Sequence, residues 1–138
     1  MTDVDLHYRE LEAKLRAHGL RPTIQRMSLG VILFGADNKH VTAESLHAES
    51  KEANIGVCLA TVYNALHNFT SKGLLKEICI DPSRSYFDTN TEPHHHFYYE
   101  RSGRLEDIMC SDLSLGVLPA APDNLPLLSV EVLIRIDG

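Results

Sequence analysis

The chain has 138 residues, a formal net charge of −6, 43% hydrophobic and 23% charged residues, and no Trp. That composition fits a globular fold with a mostly aliphatic core and excludes a disordered or collagen-like chain. No apolar run reaches the length that spans a bilayer, and the polar start lacks the pattern of a secretory or transit segment, so a cytoplasmic protein with no membrane partner is expected. The three Cys, at positions 58, 79 and 110, form no CxxC pair, which argues against a disulfide framework and against a structural Cys-zinc site. The charge is uneven. Residues 1–80 hold nine Lys/Arg and nine Asp/Glu, whereas residues 81–138 hold four and ten. Five of the basic residues lie between Arg9 and Arg26, so the first part can meet phosphates although the whole chain is acidic.

Residues 4–18 predict a helix, with Leu6, Leu11 and Leu15 near one face and Gly19 as its stop. A second helix starts near Thr23, with Ile24, Met27, Val31 and Phe34 at helical spacing and Gly35 at its end. Thr42 is a good N-cap for a third helix through Ala43, Leu46 and Ala53, but Ser rather than Glu at position 45 predicts that the full capping box is missing. The fourth covers about Leu59 to Lys72, carries the stripe Val62, Leu66 and Phe69, and stops at Gly73. The pattern then changes to strands. Residues 75–80 and 85–88 flank Asp81-Pro82-Ser83-Arg84, a turn composition that predicts a hairpin. Further strands are expected at 96–99, 105–108 and 130–136, and three Pro between Gly116 and Pro126 argue against a regular helix there.

Short helices followed by a hairpin are the layout of a winged helix. The fold class is therefore α+β: a winged helix-turn-helix over residues 1–82, then a small α/β domain over residues 83–138. In the fourth helix Ala60, Thr61, Tyr63, Asn64, His67 and Asn68 lie off the apolar stripe. They make a polar face of a size that fits the major groove of double-stranded DNA. The second part is too small to build a large core alone, and pairing of its sheet in a homodimer solves that problem.

His94-His95-His96 is the sharpest chemical feature. On a strand His94 and His96 share one face and His95 points away. Asp88 ends the strand before them and Asp107 lies in the strand after. Together they form an N/O set suited to divalent Fe, Mn or Zn, and the His run is also a candidate for haem. Spacing alone does not fix which ligands close such a site. His40, before the third helix, reads by itself as a surface residue. Cys58, Cys79 and Cys110 have apolar neighbours and are expected to be buried small side chains.

Leu15-Arg-Ala-His-Gly-Leu-Arg-Pro-Thr-Ile-Gln-Arg26, His40-Val-Thr-Ala-Glu-Ser-Leu46, Ala60-Thr-Val-Tyr-Asn64 and His94-His-His96 resemble, in order and spacing, the ferric uptake regulator family. The resemblance implies a DNA-binding winged helix, a hinge near Asp81-Pro82 and a C-terminal dimerisation domain. It implies that Tyr63 contacts base edges, Thr61 holds a phosphate and Arg21 lies at the minor groove. Asn64 stands where most members carry Arg. The regulatory metal site of the family maps onto His40, Asp88, His94, His96 and Asp107. The CxxC pairs of the structural zinc site are missing, with Tyr99 and Ser102 at the first. At an accessory site Pro93 and Glu131 replace His, and His95 replaces Asp. These departures resemble the iron response regulator branch of alphaproteobacteria, whose suggested haem site is the His run, here His94, His95 and His96.

The expected function is therefore a dimeric DNA-binding transcriptional regulator, a repressor that responds to iron or haem status and is not an enzyme. Two alternatives stand beside it. One is a peroxide-sensing metalloregulator of the same family, whose pattern includes Asp at both 88 and 107. The other is a small non-haem iron enzyme, which needs two His and one carboxylate.

Overall fold

The structure of the protein is a computed structural model that describes residues 2–35 and 37–138. Two compact units divide the chain, residues 1–91 and 92–138. The first contains α1 (Asp3–Ala17), α2 (Ile24–Phe34), β1 (His40–Val41), α3 (Ala43–Glu52), α4 (Leu59–Ser71), β2 (Lys76–Asp81) and β3 (Arg84–Asp88). An expected boundary at residue 82 would cut the β2–β3 hairpin. Instead β3 pairs antiparallel with β2 on one side and β1 on the other, which keeps residues 84–88 in the first unit.

Local chemistry sets the helix ends. α1 begins with a capping box in which Thr2 and Asp5 exchange bonds. It ends at Gly19, whose φ of +76° suits a residue without Cβ. The Gly19 and Leu20 amides donate back to the carbonyls of Arg16 and Leu15, and Leu20 is buried. α4 ends the same way at Gly73 (φ +84°), with Leu74 donating to Phe69. α3 ends on Asn54, which takes the left-handed conformation (φ +59°) at the turn leading to α4. At the other end of α3, Ser45 itself completes a capping box, without the Glu that the pattern usually needs. The Ser45 amide donates to Thr42 Oγ1 at 3.0 Å, and the Thr42 amide donates to Ser45 Oγ at 2.9 Å. The short hydroxyl reaches because both residues sit in one turn.

The core of this unit joins Leu15 from α1, Met27, Leu29 and Leu33 from α2, Leu46 from α3, Val62, Leu66 and Phe69 from α4, and Phe87 from β3. The stripe predicted for α4 is buried. That of α2 is rotated: Met27 is buried, but Ile24 and Val31 are exposed, and Leu29 and Leu33 face inward instead. Val31, Ile32, Leu33 and Phe34 form a continuous apolar run at the end of α2, so periodicity could not choose between its faces. Leu6, expected inside, is exposed because α1 packs through its later turns, at Leu11 and Leu15.

The second unit is a three-stranded sheet with β4 (His95–Tyr99) between β5 (Leu105–Ile108), antiparallel, and β6 (Leu133–Ile136), parallel. Short 3-10 turns at Cys110–Asp112 and Pro122–Asn124 punctuate the β5–β6 connection. The last strand is shorter than the predicted 130–136. Its ladder starts at Leu133 because the Val132 amide donates to the ring Nδ1 of His95 at 3.0 Å rather than to a backbone carbonyl.

Candidate metal centre and nucleic-acid face

In the second unit the strand alternation places His94 and His96 together, and the register sets His96 opposite Asp107 on β5. His94 Nε2 lies 3.2 Å and His96 Nε2 lies 3.3 Å from the same oxygen, Asp107 Oδ1. Both imidazoles are buried. His94 Nδ1 sits 2.6 Å from the Glu92 carbonyl, which only accepts, so the Nδ1 proton is committed there. In the neutral ring, Nε2 then turns a lone pair towards a carboxylate oxygen. Two acceptors at that distance need a cation, either a second proton or a metal ion. A carbonyl that fixes the tautomer from behind is the usual support of a metal-ligating histidine. The 3.2 and 3.3 Å separations also match the ligand-to-ligand edges expected around an ion with bonds of about 2.1 Å. The residues present fit a divalent ion. His95 lies on the opposite face, where its Nδ1 is occupied by the Val132 amide.

The first unit holds a second pair. β1 places His40 opposite Asp88 of β3, with His40 Nε2 at 3.1 Å from Asp88 Oδ2. Asp88 is fully buried, and its other oxygen accepts the Asn90 amide at 2.8 Å. Sequence reasoning missed β1, because two residues carry no periodicity. Without that strand nothing local tied His40 to Asp88. The structure thus brings His94, His96 and Asp107 together in one unit, and His40 and Asp88 together in the other.

α4 turns Val62, Ala65, Leu66 and Phe69 inward and leaves Ala60, Tyr63, Asn64 and His67 exposed, while Thr61 is half-buried. The Tyr63 hydroxyl donates to Glu44 Oε1 at 2.8 Å, and its ring stacks on His67 with centroids 6.3 Å apart. The bond to Glu44 is the main reason the Tyr63 phenol ionises above its ordinary range, with partial burial and the Glu44 charge adding to it. His67 in turn meets Phe87 edge to face at 6.1 Å. Arg21 is exposed between α1 and α2, where the Arg26 guanidinium donates to its carbonyl at 3.0 Å. Glu44 was not singled out by sequence. It lies within the His40–Leu46 motif, but no spacing links it to Tyr63.

The three cysteines are free and exposed, not buried as expected. Cys58 sits at the N-cap of α4, with its Sγ 3.3 Å from Thr61 Oγ1, and that contact lowers its thiol pKa. Cys79 occupies an outward position of the β2–β3 hairpin and Cys110 a 3-10 turn. At Cys79 the apolar neighbours Ile78 and Ile80 alternate to the inside while the thiol faces out, whereas Met109 beside Cys110 is itself exposed.

A helix-turn-helix followed by a three-stranded wing, joined in the chain to a sheet that carries histidine and carboxylate ligands, defines a metalloregulator of the winged-helix class. The model of the ferric uptake regulator family matches residues 17–115. The chain belongs to that family and is a metal-responsive, DNA-binding transcriptional regulator. Among similar proteins is the peroxide-responsive repressor PerR of Staphylococcus epidermidis, 32% identical over 107 residues that cover 78% of this chain and 71% of that one. PerR of Staphylococcus aureus is 32% identical over 102 residues, covering 74% and 68%. The fold resembles that of the ferric uptake regulator from Pseudomonas aeruginosa, solved with manganese (TM-score 0.71, 22% identity, 92% of this chain and 96% of that one). It also resembles the ferric uptake regulator of Vibrio cholerae (TM-score 0.73, 19% identity, 92% and 98% covered). Among the described residues no helix is long and apolar enough to cross a membrane.

Proposed function

We propose that this chain is a homodimeric, cytoplasmic repressor that reads a double-stranded DNA operator through α4 and is switched by one divalent ion. Tyr63 and Asn64 face base edges, Thr61 holds a phosphate and Arg21 reaches the minor groove. His94, His96 and Asp107 hold the ion, Fe or Mn in function, with Zn also acceptable to the donor set. His40 and Asp88 complete the ligand set. The observation that carries this reading is the pair of Nε2 atoms turned on Asp107 Oδ1. When bound, the ion would supply a positive charge beside Asp107 and the two imidazoles, and its loading would alter operator affinity. Two recognition helices of a dimer would meet two half-sites.

Haem at His94, His95 and His96 gains no support from the geometry: His95 Nδ1 accepts the Val132 amide, and the Nε2 atoms of His94 and His96 face Asp107 Oδ1. The iron response regulator assignment rests on the sequence departures alone. The winged-helix unit supports a regulator over a small non-haem iron enzyme. The test is operator binding, by anisotropy on a duplex selected from a randomised pool, with Mn(II)-loaded and chelator-treated protein. Loaded protein should bind more tightly, and Tyr63→Ala should cost about 1–3 kcal/mol of discrimination. Equal binding in both metal states would defeat the reading.

A second reading, peroxide sensing, is favoured by the PerR relatives together with Asp at both 88 and 107. Intact mass after peroxide treatment of Fe(II)-loaded protein separates the two. A gain of one oxygen atom on His40 or His94 marks the peroxide sensor, and an unchanged mass marks the iron sensor.

A further inference from the structure

We propose that Glu44 is a specificity-determining residue, which fixes Tyr63 as a hydrogen-bond acceptor towards DNA and so selects a base that presents an amino group, adenine or cytosine, over guanine or thymine at the position it faces. The inference rests on the reading that Tyr63 faces base edges. A phenol has a single proton, and the Tyr63 hydroxyl gives it to Glu44 Oε1 at 2.8 Å. What remains on the Tyr63 oxygen is lone pairs. In the major groove those match the amino groups of adenine N6 and cytosine N4 and clash with guanine O6 and N7 and thymine O4.

Three features keep the bond in place. Glu44 lies in the first turn of α3, where a helix N-terminus accommodates a carboxylate. The Tyr63 ring is braced from the other side by stacking on His67, which is itself set edge-on against the buried Phe87. Both Glu44 and Tyr63 are exposed in the free protein, so DNA would strip water from the bond and strengthen it. Breaking it on DNA would leave a carboxylate facing a polyanion with no donor. The pair therefore enters the groove as one acceptor-only unit. The Glu44 charge also repels phosphates, which disfavours a backbone contact for the same tyrosine.

The test compares base preferences of Mn(II)-loaded parent, Glu44→Ala, Tyr63→Phe and the double variant on a randomised duplex pool that is bound and sequenced. Preferences are ratios between bases, so the uniform gain in affinity from removing a negative charge cancels. Tyr63→Phe identifies the position that Tyr63 reads. Glu44→Ala should lower the adenine or cytosine preference at that position about tenfold, since the freed hydroxyl then donates as well as accepts. The double variant should equal Tyr63→Phe alone. The proposal is overturned if Glu44→Ala leaves that preference intact, or if the double variant loses preference at a second position, which would make Glu44 a base reader in its own right. If Tyr63→Phe changes no position, the assignment of Tyr63 to base edges fails first and the role of Glu44 falls with it.

Discussion

The two units bury their apolar residues very differently. In the first, all four helices and the hairpin feed one aliphatic cluster around Leu15, Leu46, Leu66 and Phe69. In the second, Tyr98, Leu105 and Ile108 are buried, while Val117, Leu125, Leu127 and Leu128 of the β5–β6 connection are exposed. Val117 and Leu128 are 102% and 95% exposed. Small units cannot close a core by themselves, and a run of exposed apolar side chains marks a surface that meets something. The first unit is a finished fold. The second leaves apolar side chains exposed, as the proposed homodimer requires.

Substitutions sharpen this contrast. The largest effect is expected from Phe69→Ala, because Phe69 is fully buried and packs edge to face on Phe34 at 5.9 Å. It should cost about 3–5 kcal/mol of stability in urea unfolding, as core aromatic truncations do. A loss below about 1 kcal/mol would mean the core is not where the cluster puts it.

The next largest should come from the double change Val117→Asp and Leu128→Asp. By light scattering it should move the protein from dimer to monomer while leaving the helical circular dichroism unchanged. A dimer that survives both charges would place the interface elsewhere.

Thr42→Ala tests a smaller and local element. It removes the acceptor of the Ser45 amide at the start of α3 and should cost about 1 kcal/mol. No loss would show that Ser45 alone secures that end.

The smallest effect lies in the hairpin. Asp81 ionises at about 2, held down first by the Arg84 guanidinium and then by the Ser83 hydroxyl and amide. A carboxyl lowered on folding adds stability above its unfolded value, near 3.9, and loses it as pH falls towards 2. Asp81→Asn should therefore lower the unfolding midpoint slightly at neutral pH and not at all near pH 2. A difference that persists in acid would assign the effect to packing.

The contrast between the units also explains what the sequence could and could not disclose. Helices bounded by Thr23, Thr42, Gly19 and Gly73 were legible because their end signals are local. The inward face of α4 was legible too, since Val62, Leu66 and Phe69 form one clear stripe. α2 was legible as a helix but not as a face, because its last turn, Val31 to Phe34, is apolar on every side. On the ligand side, His94 and His96 were paired by strand alternation, and Asp107 by the strand that follows. His40 came only from family resemblance, because the two-residue β1 that aligns it with Asp88 is made by tertiary pairing across 48 residues. The Glu44–Tyr63 bond was invisible for the same reason: it joins two helices whose packing no local pattern encodes.

The proposed switch requires that the histidines facing Asp107 hold a regulatory ion. Titration calorimetry of Mn(II) into the parent and into His96→Ala, at about pH 7.5, above the ordinary imidazole range, tests it most directly. Affinity should be at least about tenfold weaker in the variant, and in the parent it should weaken as pH falls through about 6 to 7. Equal affinity in the two proteins would contradict it.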